Sequence, residues 1–454
     1  MPSIIHGTVG TILKHKCLSF VSLSVLAIVM CGTGLAISPY VQAETAIWDA
    51  ITGGNVDFSA RYRFEHVEDG RVNSATGLKL KDADASTIRT TLGYKTGQFH
   101  HFGVRLLLQD VRDIGADDFN DATGKSSKTA FAVVADPSDT DFLEAYLSFD
   151  GLSNTVIKAG RQIITYRDAP FHRFMGTILW RQNWQNHDAV SMVNTSLPDT
   201  KISYAYSWNI NRIFTDKAVS PKNEFDSNSH FINLKYSGFS LGSLEGYAYL
   251  LDFDNAGAFS THTYGARFNG AYPVRDNFKA IYTAEYAHQT DAADNPGDID
   301  ANYFLGELGG SFNFKGPVKA VTVKFSYELQ EGEGGADRFV TILGTNHAFQ
   351  GWADRFVTTP GDGVEDLYVT FVAKFFGAKF IASYHDMNSD NLDYDYGEEL
   401  DLLLIKTFYK HYTLGLKYAD YDADESLINI TQNGANSTVT NDASIVWAFV
   451  LIKF

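Results

Sequence analysis

Cysteine is almost absent from this 454-residue chain, with only Cys17 and Cys31. Both fall near the start, where Lys14, His15 and Lys16 precede an apolar run from Leu18 to Met30 and "VQA" (Val41 to Ala43) supplies small side chains. Basic, then apolar, then small is the order of a secretory signal peptide, predicted here over residues 1–43. A membrane anchor is the competing reading, and Gly32, Gly34, Ser38 and Pro39 interrupt the apolar run it would need. Cys31 invites lipidation, but Met30 is bulky where such a site takes a small residue. Residues 44–454 would then hold no thiol. That excludes disulfides, cysteine-ligated zinc and thiol catalysis, and suits export without oxidative folding.

Other scarcities narrow the class. There are 10 Pro and 5 Met, no Pro/Ser-rich linker and no break in composition, so residues 44–454 read as one domain. Beyond the signal, no apolar run reaches the roughly 18 to 20 residues of a spanning helix. Helical periodicity is confined to the short stretch Ala46–Ile51. Positive charge is also short: without Lys14 and Lys16, 35 basic residues face 54 acidic ones, a net −19. Nucleic acid is a poor partner for such a chain. Acidity of this kind reflects solvated loops.

What the chain does have is 33 Phe, 24 Tyr, 38 Gly and alternation everywhere. Phe58, Ala60, Tyr62 and Phe64 alternate with Ser59, Arg61, Arg63 and Glu65; Val321, Val323, Phe325 and Tyr327 alternate with Thr322, Lys324, Ser326 and Glu328. Such strands make a sheet with one apolar and one wet face. A soluble sandwich alternates in the same way, so the connections decide. Eighteen candidate strands begin near residues 56, 86, 101, 142, 155, 188, 201, 230, 244, 262, 278, 302, 320, 365, 378, 398, 411 and 443. Short links such as "DGLSN" and "FFGA" alternate with long polar ones such as 110–140, 164–187 and 331–363. This pattern predicts an all-β, transmembrane antiparallel barrel of about 18 strands in a bacterial outer membrane, both termini periplasmic. The closing "SIVWAFVLIKF", ending on Phe454, suits recognition by barrel-assembly machinery, although Ile452 stands where an aromatic is commoner. Aromatic girdles would come from Tyr94, Phe149, Tyr236, Tyr249, Tyr286, Phe312, Tyr384 and Tyr418.

One segment fits neither period. "MGTILWRQNWQNHDA" (175–189) is too polar for a core and too aromatic for a plain solvated loop. In the barrel register it closes the third long loop. Folded inward, it would narrow the channel, with Arg181 and Asp188 as eyelet charges and Trp180 and Trp184 against the wall. Left at the surface, it would only pack on neighbouring loops. Strand parity places Arg61, Arg63, Arg89, Arg105, Arg267, Lys279 and Lys324 inside, a cationic ladder that would favour anions. Singly, each arginine serves as readily to balance a lumenal carboxylate: Glu65, Glu144, Glu285, Glu328, Asp366 or Asp401. Arg161 and Arg212 fall on the apolar parity, which a bulge at Gly160 or a place beyond the membrane edge would resolve.

The motifs "GRQ" (160–162), "WRQNWQNHDA" (180–189), "WNINRI" (208–213), "TNHAFQGWADRF" (345–356) and "KYADY" (417–421) resemble the alginate-export family of outer-membrane proteins, over essentially the whole mature chain. The resemblance implies an eighteen-stranded monomeric barrel whose arginine-rich constriction passes an acidic, alginate-like polysaccharide. A general or small-carboxylate uptake porin is the alternative, since a passive pore works in both directions. No cofactor is expected. "DMNSDNLDYD" (386–395) alternates oxygen ligands as Ca²⁺ loops do, but lacks their glycine and closing glutamate, so an acidic loop bridged to lipopolysaccharide competes with a Ca²⁺ site. A barrel enzyme would need a nucleophile constellation at the outer rim; His385 beside Asp386 is the nearest approach, and no serine sits in a nucleophile motif. A gated receptor would need a plug domain before Val56, where about a dozen mature residues stand.

Overall fold

The computed structural model describes residues 40–73, 75–424 and 438–454. Two compact units divide at Ile51/Thr52. The described part of the first is residues 40–51 of α1 (Tyr40–Thr52), which contain the short helical stretch expected at Ala46–Ile51. Both cysteines and the basic and apolar parts of the expected signal segment lie outside the described residues.

The second unit is one closed sheet. Its first half runs β1 (Asn55–Asp69), β2 (Ala83–Lys95), β3 (Phe102–Asp118), β4 (Asp139–Leu152), β5 (Thr155–Gln162), β6 (Asn186–Asn194), β7 (Thr200–Asn211), β8 (Glu224–Phe239) and β9 (Gly242–Leu250). It continues with β10 (Thr261–Arg275), β11 (Phe278–Asp291), β12 (Asp300–Asn313) and β13 (Val318–Gln330). A ribbon of β14 (Gly332–Gly334) and β15 (Asp337–Arg338) rises inside a long loop, outside the main sheet. Then come β16 (Val364–Phe375), β17 (Ala378–Asn388), β18 (Asp395–Phe408), β19 (Tyr412–Ala423) and β20 (Ala443–Lys453). Each of the 18 strands pairs antiparallel with the next, and β20 closes on β1 from Ser59↔Lys453 to Asp69↔Ala443. Closure leaves no unpaired edge, the condition for a sheet to cross a bilayer. Connections of two to six residues at one end alternate with connections of six to 33 residues at the other, and β1 starts and β20 ends at the short-turn end.

The distribution of burial inverts that of a soluble protein. On β13, Phe325 is 62% exposed while Glu328 is 0% exposed. Leu92, Leu308, Leu367, Leu404 and Leu416 point out of the sheet, and Arg63, Glu65, Asp366 and Asp401 are buried within it. An apolar belt this extensive is stable in lipid and not in water. Two side-chain clusters fill parts of the interior: one gathers Phe174, Phe231, Tyr249, Tyr303 and Phe339, the other Val67, Phe356, Tyr396, Tyr421 and Trp447. Tyr249, expected in a girdle, is thus a correction: only 4% exposed, it stacks on Tyr247 at 5.0 Å. Tyr286, Phe312 and Tyr384 of the same expected set are exposed.

Candidate constriction inside the barrel

The loop between β5 and β6, residues 163–185, lies inside the barrel. It first closes on itself: Arg181 N donates to Ile178 O at 3.0 Å, Gln185 N to Thr177 O at 2.9 Å and Trp184 Nε1 to Leu179 O at 3.1 Å. These bonds satisfy backbone that water does not reach. They also turn its long side chains outward onto three neighbours.

The first neighbour is the wall of β1 to β3. Arg61 donates to Gln182 Oε1 at 2.9 Å, Leu179 O at 2.9 Å and Arg181 O at 2.5 Å. Arg63 donates to Trp180 O and to Asp136, and lies 3.2 Å from Glu65. Gln182 Nε2 donates to Thr87 Oγ1 at 3.0 Å. The Arg89 guanidinium stacks 3.7 Å from the Trp184 ring centroid and donates to Gln109 Oε1 at 2.7 Å. Trp180 and Trp184 therefore each press against a wall arginine, 5.2 Å separating Arg63 from the Trp180 centroid.

The second neighbour is the loop 119–138. Its Asp136 accepts from Gln182 N at 2.8 Å as well as from Arg63. Burial opposes ionisation of Asp136, but the positive charges of Arg63 and Arg181 outweigh it and hold the carboxyl below its ordinary range.

The third is the loop 331–363. Gly176 N donates to Leu343 O at 2.9 Å, Thr345 N to His172 O at 2.8 Å and Gln185 Nε2 to Leu343 O at 3.2 Å. Arg181 reaches Glu65 of β1 at 3.3 Å on one side and Asp354 at 2.9 Å on the other. Asp354 also bonds His347 Nδ1 at 2.7 Å. Burial works against the Asp354 carboxylate, yet His347 and Arg181 keep it well below the usual carboxylate range. Burial pushes the His347 imidazole down to about 3, so the ring is neutral. This second loop is itself tied to the wall. Gly351, at φ 79°, brings its backbone against Glu399, where a Cβ would meet Oε2 at 2.2 Å. Ala353 N donates to Glu399 Oε1 at 2.7 Å, and Arg355 lies 3.4 Å from Asp69.

The structure spreads the arginines singled out in the sequence. Arg61, Arg63, Arg89 and Arg181 meet at the loop. Arg105, at the short-turn end of β3, is balanced by Asp57 and by Glu144 at 3.1 Å. Arg267 lies on β10, nine strands from β1 in either direction and so on the opposite wall, 2.8 Å from Glu285. Asp188, expected at the eyelet, instead holds Arg161 at 2.9 Å, and Asp141 takes the same guanidinium at 2.5 Å. Gly160 beside it has φ 120°, but pairing with β4 and β6 stays in register through Gly160 and Arg161, so no bulge stands there. Arg212 lies just past β7 with its guanidinium 4.4 Å from the Phe225 centroid, bordering a cavity of about 50 Å³ with Trp184, Asn186 and Asn211. Among the described residues, Arg61, Arg89 and Arg212 form no ion pair; Arg63, Arg105, Arg161, Arg181 and Arg267 do.

Several participants escaped the sequence reading. Arg167 bonds Glu245 at 3.1 Å and Glu285 at 2.6 Å, and Arg173 forms an ion pair with Glu328 at 2.9 Å. Both stand in the same loop as Trp180, so their membership of that segment was the available signal. Lys417 stood only as the first residue of "KYADY", and Asp136 gave no signal. Three to six strands round the wall from β1, β13 and β16 to β18 carry Glu328, Asp366, Glu399 and Asp401, all buried, with His385 bonded to Asp366 at 2.9 Å. His385 is buried at 5% exposure while Asp386, next in the strand, takes the other face and bonds Asn388. Those two do not form a dyad. Residues 386–395 end β17 and begin β18, and among the described residues no group of three or more His, Cys, Asp or Glu is placed to hold a metal ion.

A closed barrel with an apolar outer belt, a charged lumen and an inward-folded loop belongs to the porin class of membrane architecture. Solved structures of that class superpose along almost the whole chain. OccAB2 of Acinetobacter baumannii matches with a TM-score of 0.65 at 14% identity, covering 89% of this chain and 99% of that one. OpdQ of Pseudomonas aeruginosa gives 0.62 at 13%, covering 90% and 99%. OpdK of P. aeruginosa, solved with vanillate, gives 0.63 at 12%, covering 88% and 98%. No protein-family model and no curated protein matches the sequence. The chain is an 18-stranded antiparallel barrel of the bacterial outer membrane, of the Occ/Opd porin fold.

Proposed function

We propose that the barrel is a passive channel for small anionic solutes, small carboxylates foremost, which the potential of Arg61 and Arg89 draws through the constriction. The observation that carries this is charge balance. Around the inward loop, four arginines, Arg61, Arg63, Arg89 and Arg181, face three carboxylates, Glu65, Asp136 and Asp354, a surplus of one positive charge, and Arg61 and Arg89 have no ion-pair partner among the described residues. Arg61 spends its donors on loop oxygens, so it acts through its field; Arg89 spends Nε on Gln109. A narrow passage with low-dielectric walls strengthens such a field for a passing ion.

Size supports small solutes over a polymer. Two loops dock on each other inside the lumen, and vanillate, the ligand solved with OpdK, is a small aromatic carboxylate. The acidic saccharide implied by the family resemblance is the competing cargo. Proteoliposome swelling separates them: entry of benzoate-sized carboxylates faster than neutral sugars of equal size supports the proposal. Equal rates, or entry only of uronic-acid oligomers, would overturn it.

A further inference from the structure

Lys417 on β19 occupies a setting unlike that of any other lumenal cation described above. Its Nζ lies 3.9 Å from the ring centroid of Trp352, 4.3 Å from that of Trp180 and 5.0 Å from that of Trp447. These rings come from three separate parts: the loop 331–363, the loop 163–185 and β20 of the wall. Nζ also donates to His347 Nε2 at 2.5 Å. One tautomer satisfies the whole chain of contacts: His347 accepts at Nε2 and donates from Nδ1 to Asp354 at 2.7 Å, whose other oxygen takes Arg181 at 2.9 Å. Trp180 stacks on His347 at 5.0 Å and 6°, and meets Trp447 edge-on at 5.6 Å.

We propose that Lys417 is a positioning residue that sets the aperture of the channel, by seating both inward loops in one shared aromatic cage. A buried ammonium needs compensation for its lost water, and aromatic faces supply it only when they are brought up to it. Here each loop contributes one face, and the wall contributes the third and the cation itself. Withdrawal of either loop leaves the ammonium short of a face, so the two loops hold each other in place through it. Arg181, and through its backbone oxygen Arg61, are located by that arrangement rather than by the sheet alone. The inference rests on the channel reading only in taking aperture as functional.

The test is single-channel recording in symmetric potassium chloride with K417M, which keeps the stem and removes the charge. The expected result is a conductance raised on the order of twofold with added current noise, since the constriction dominates the resistance of such a pore. Tryptophan emission should shift to the red, while the heat-modifiable gel band persists. W352A, which leaves the sheet untouched, should reproduce both changes, and W352F, which keeps an aromatic face, should restore wild-type current. Wild-type conductance and emission in K417M would overturn the proposal. Should K417M fail to assemble, W352A decides, and a quiet wild-type current there overturns it. Selectivity plays no part in these readouts, so loss of anion preference would refute the channel's proposed cargo and leave this inference standing.

Discussion

Arg89 is the sharper probe of selectivity, and the reason is its lack of a counter-charge. In R89Q the Gln109 bond can be kept in part and no carboxylate is stripped of its partner. One positive charge disappears. At an effective dielectric near 20, a unit charge acting over about 8 Å contributes roughly 2 kcal/mol. With a Debye length of about 10 Å at 0.1 M salt, roughly half survives screening. An anion loses that ~1 kcal/mol and a cation gains it, so the local preference moves by about 2 kcal/mol, some 30-fold. If only a quarter of this reaches the permeability ratio, the change is still about twofold. Reversal potentials in planar bilayers under a salt gradient should shift towards cations for R89Q. At molar salt the Debye length shrinks to about 3 Å and the shift should all but vanish. R112Q, which removes a rim guanidinium paired with Asp110 at 2.7 Å, should leave the potential where it was. An unchanged reversal potential for R89Q at 0.1 M would refute the reasoning.

Three further outcomes are expected. R181E sets a third carboxylate between Glu65 and Asp354, so it should undock the loop and raise channel noise, with the broken buried pair costing about 3 to 5 kcal/mol. Acid should loosen the same contact. His347 faces Asp354, Lys417 and Arg181, and an undocked histidine takes a proton near pH 6.5, whereas the docked one does so only at about 3. Its contribution to docking is therefore complete above the ordinary value and is lost as pH falls from about 6.5 towards 3. Asp354, held low, adds a loss in the same direction below the carboxylate range, and current noise against pH is the measurement. Finally, detergent-extracted protein should give a strand-dominated circular dichroism spectrum and a heat-modifiable band; a helical spectrum would contradict the fold.

The barrel was legible in the sequence because lipid enforces a strict period of 2 and closure enforces alternating loop lengths. Strands expected near 56, 155, 278, 378 and 443 begin at Asn55, Thr155, Phe278, Ala378 and Ala443. Legibility failed where strands outrun the membrane. β3 continues through Asp113, Asp117 and Asp118, and β8 starts at Glu224 rather than near 230, because polar side chains on both faces carry no alternation. The ion pairs were less legible still. Parity puts Arg63 in the lumen, and an inward fold of its loop would put Arg181 there, but their partners Asp136 and Asp354 arrive on loops whose inward path is set by tertiary contacts. Tyr249 went the same way: a strand-end tyrosine looks alike whether it meets headgroups or the packed interior.

The closure of β20 on β1 bears on how the barrel comes into being. Phe454 N donates to Phe58 O at 2.9 Å, and Phe58 N to Phe454 O at 3.2 Å, so the last residue of the chain bonds the first strand. The segment that completes the cylinder follows every other strand of the sheet in the chain, and until it arrives β1 and β19 are open edges able to pair with another chain. Contacts spanning nearly the whole chain are slow to form, because the ends must find each other across a very long loop. Chains cut short before Ala443 should therefore accumulate as aggregates rather than as smaller pores, which makes the final dozen residues a kinetic checkpoint on every copy delivered to the membrane.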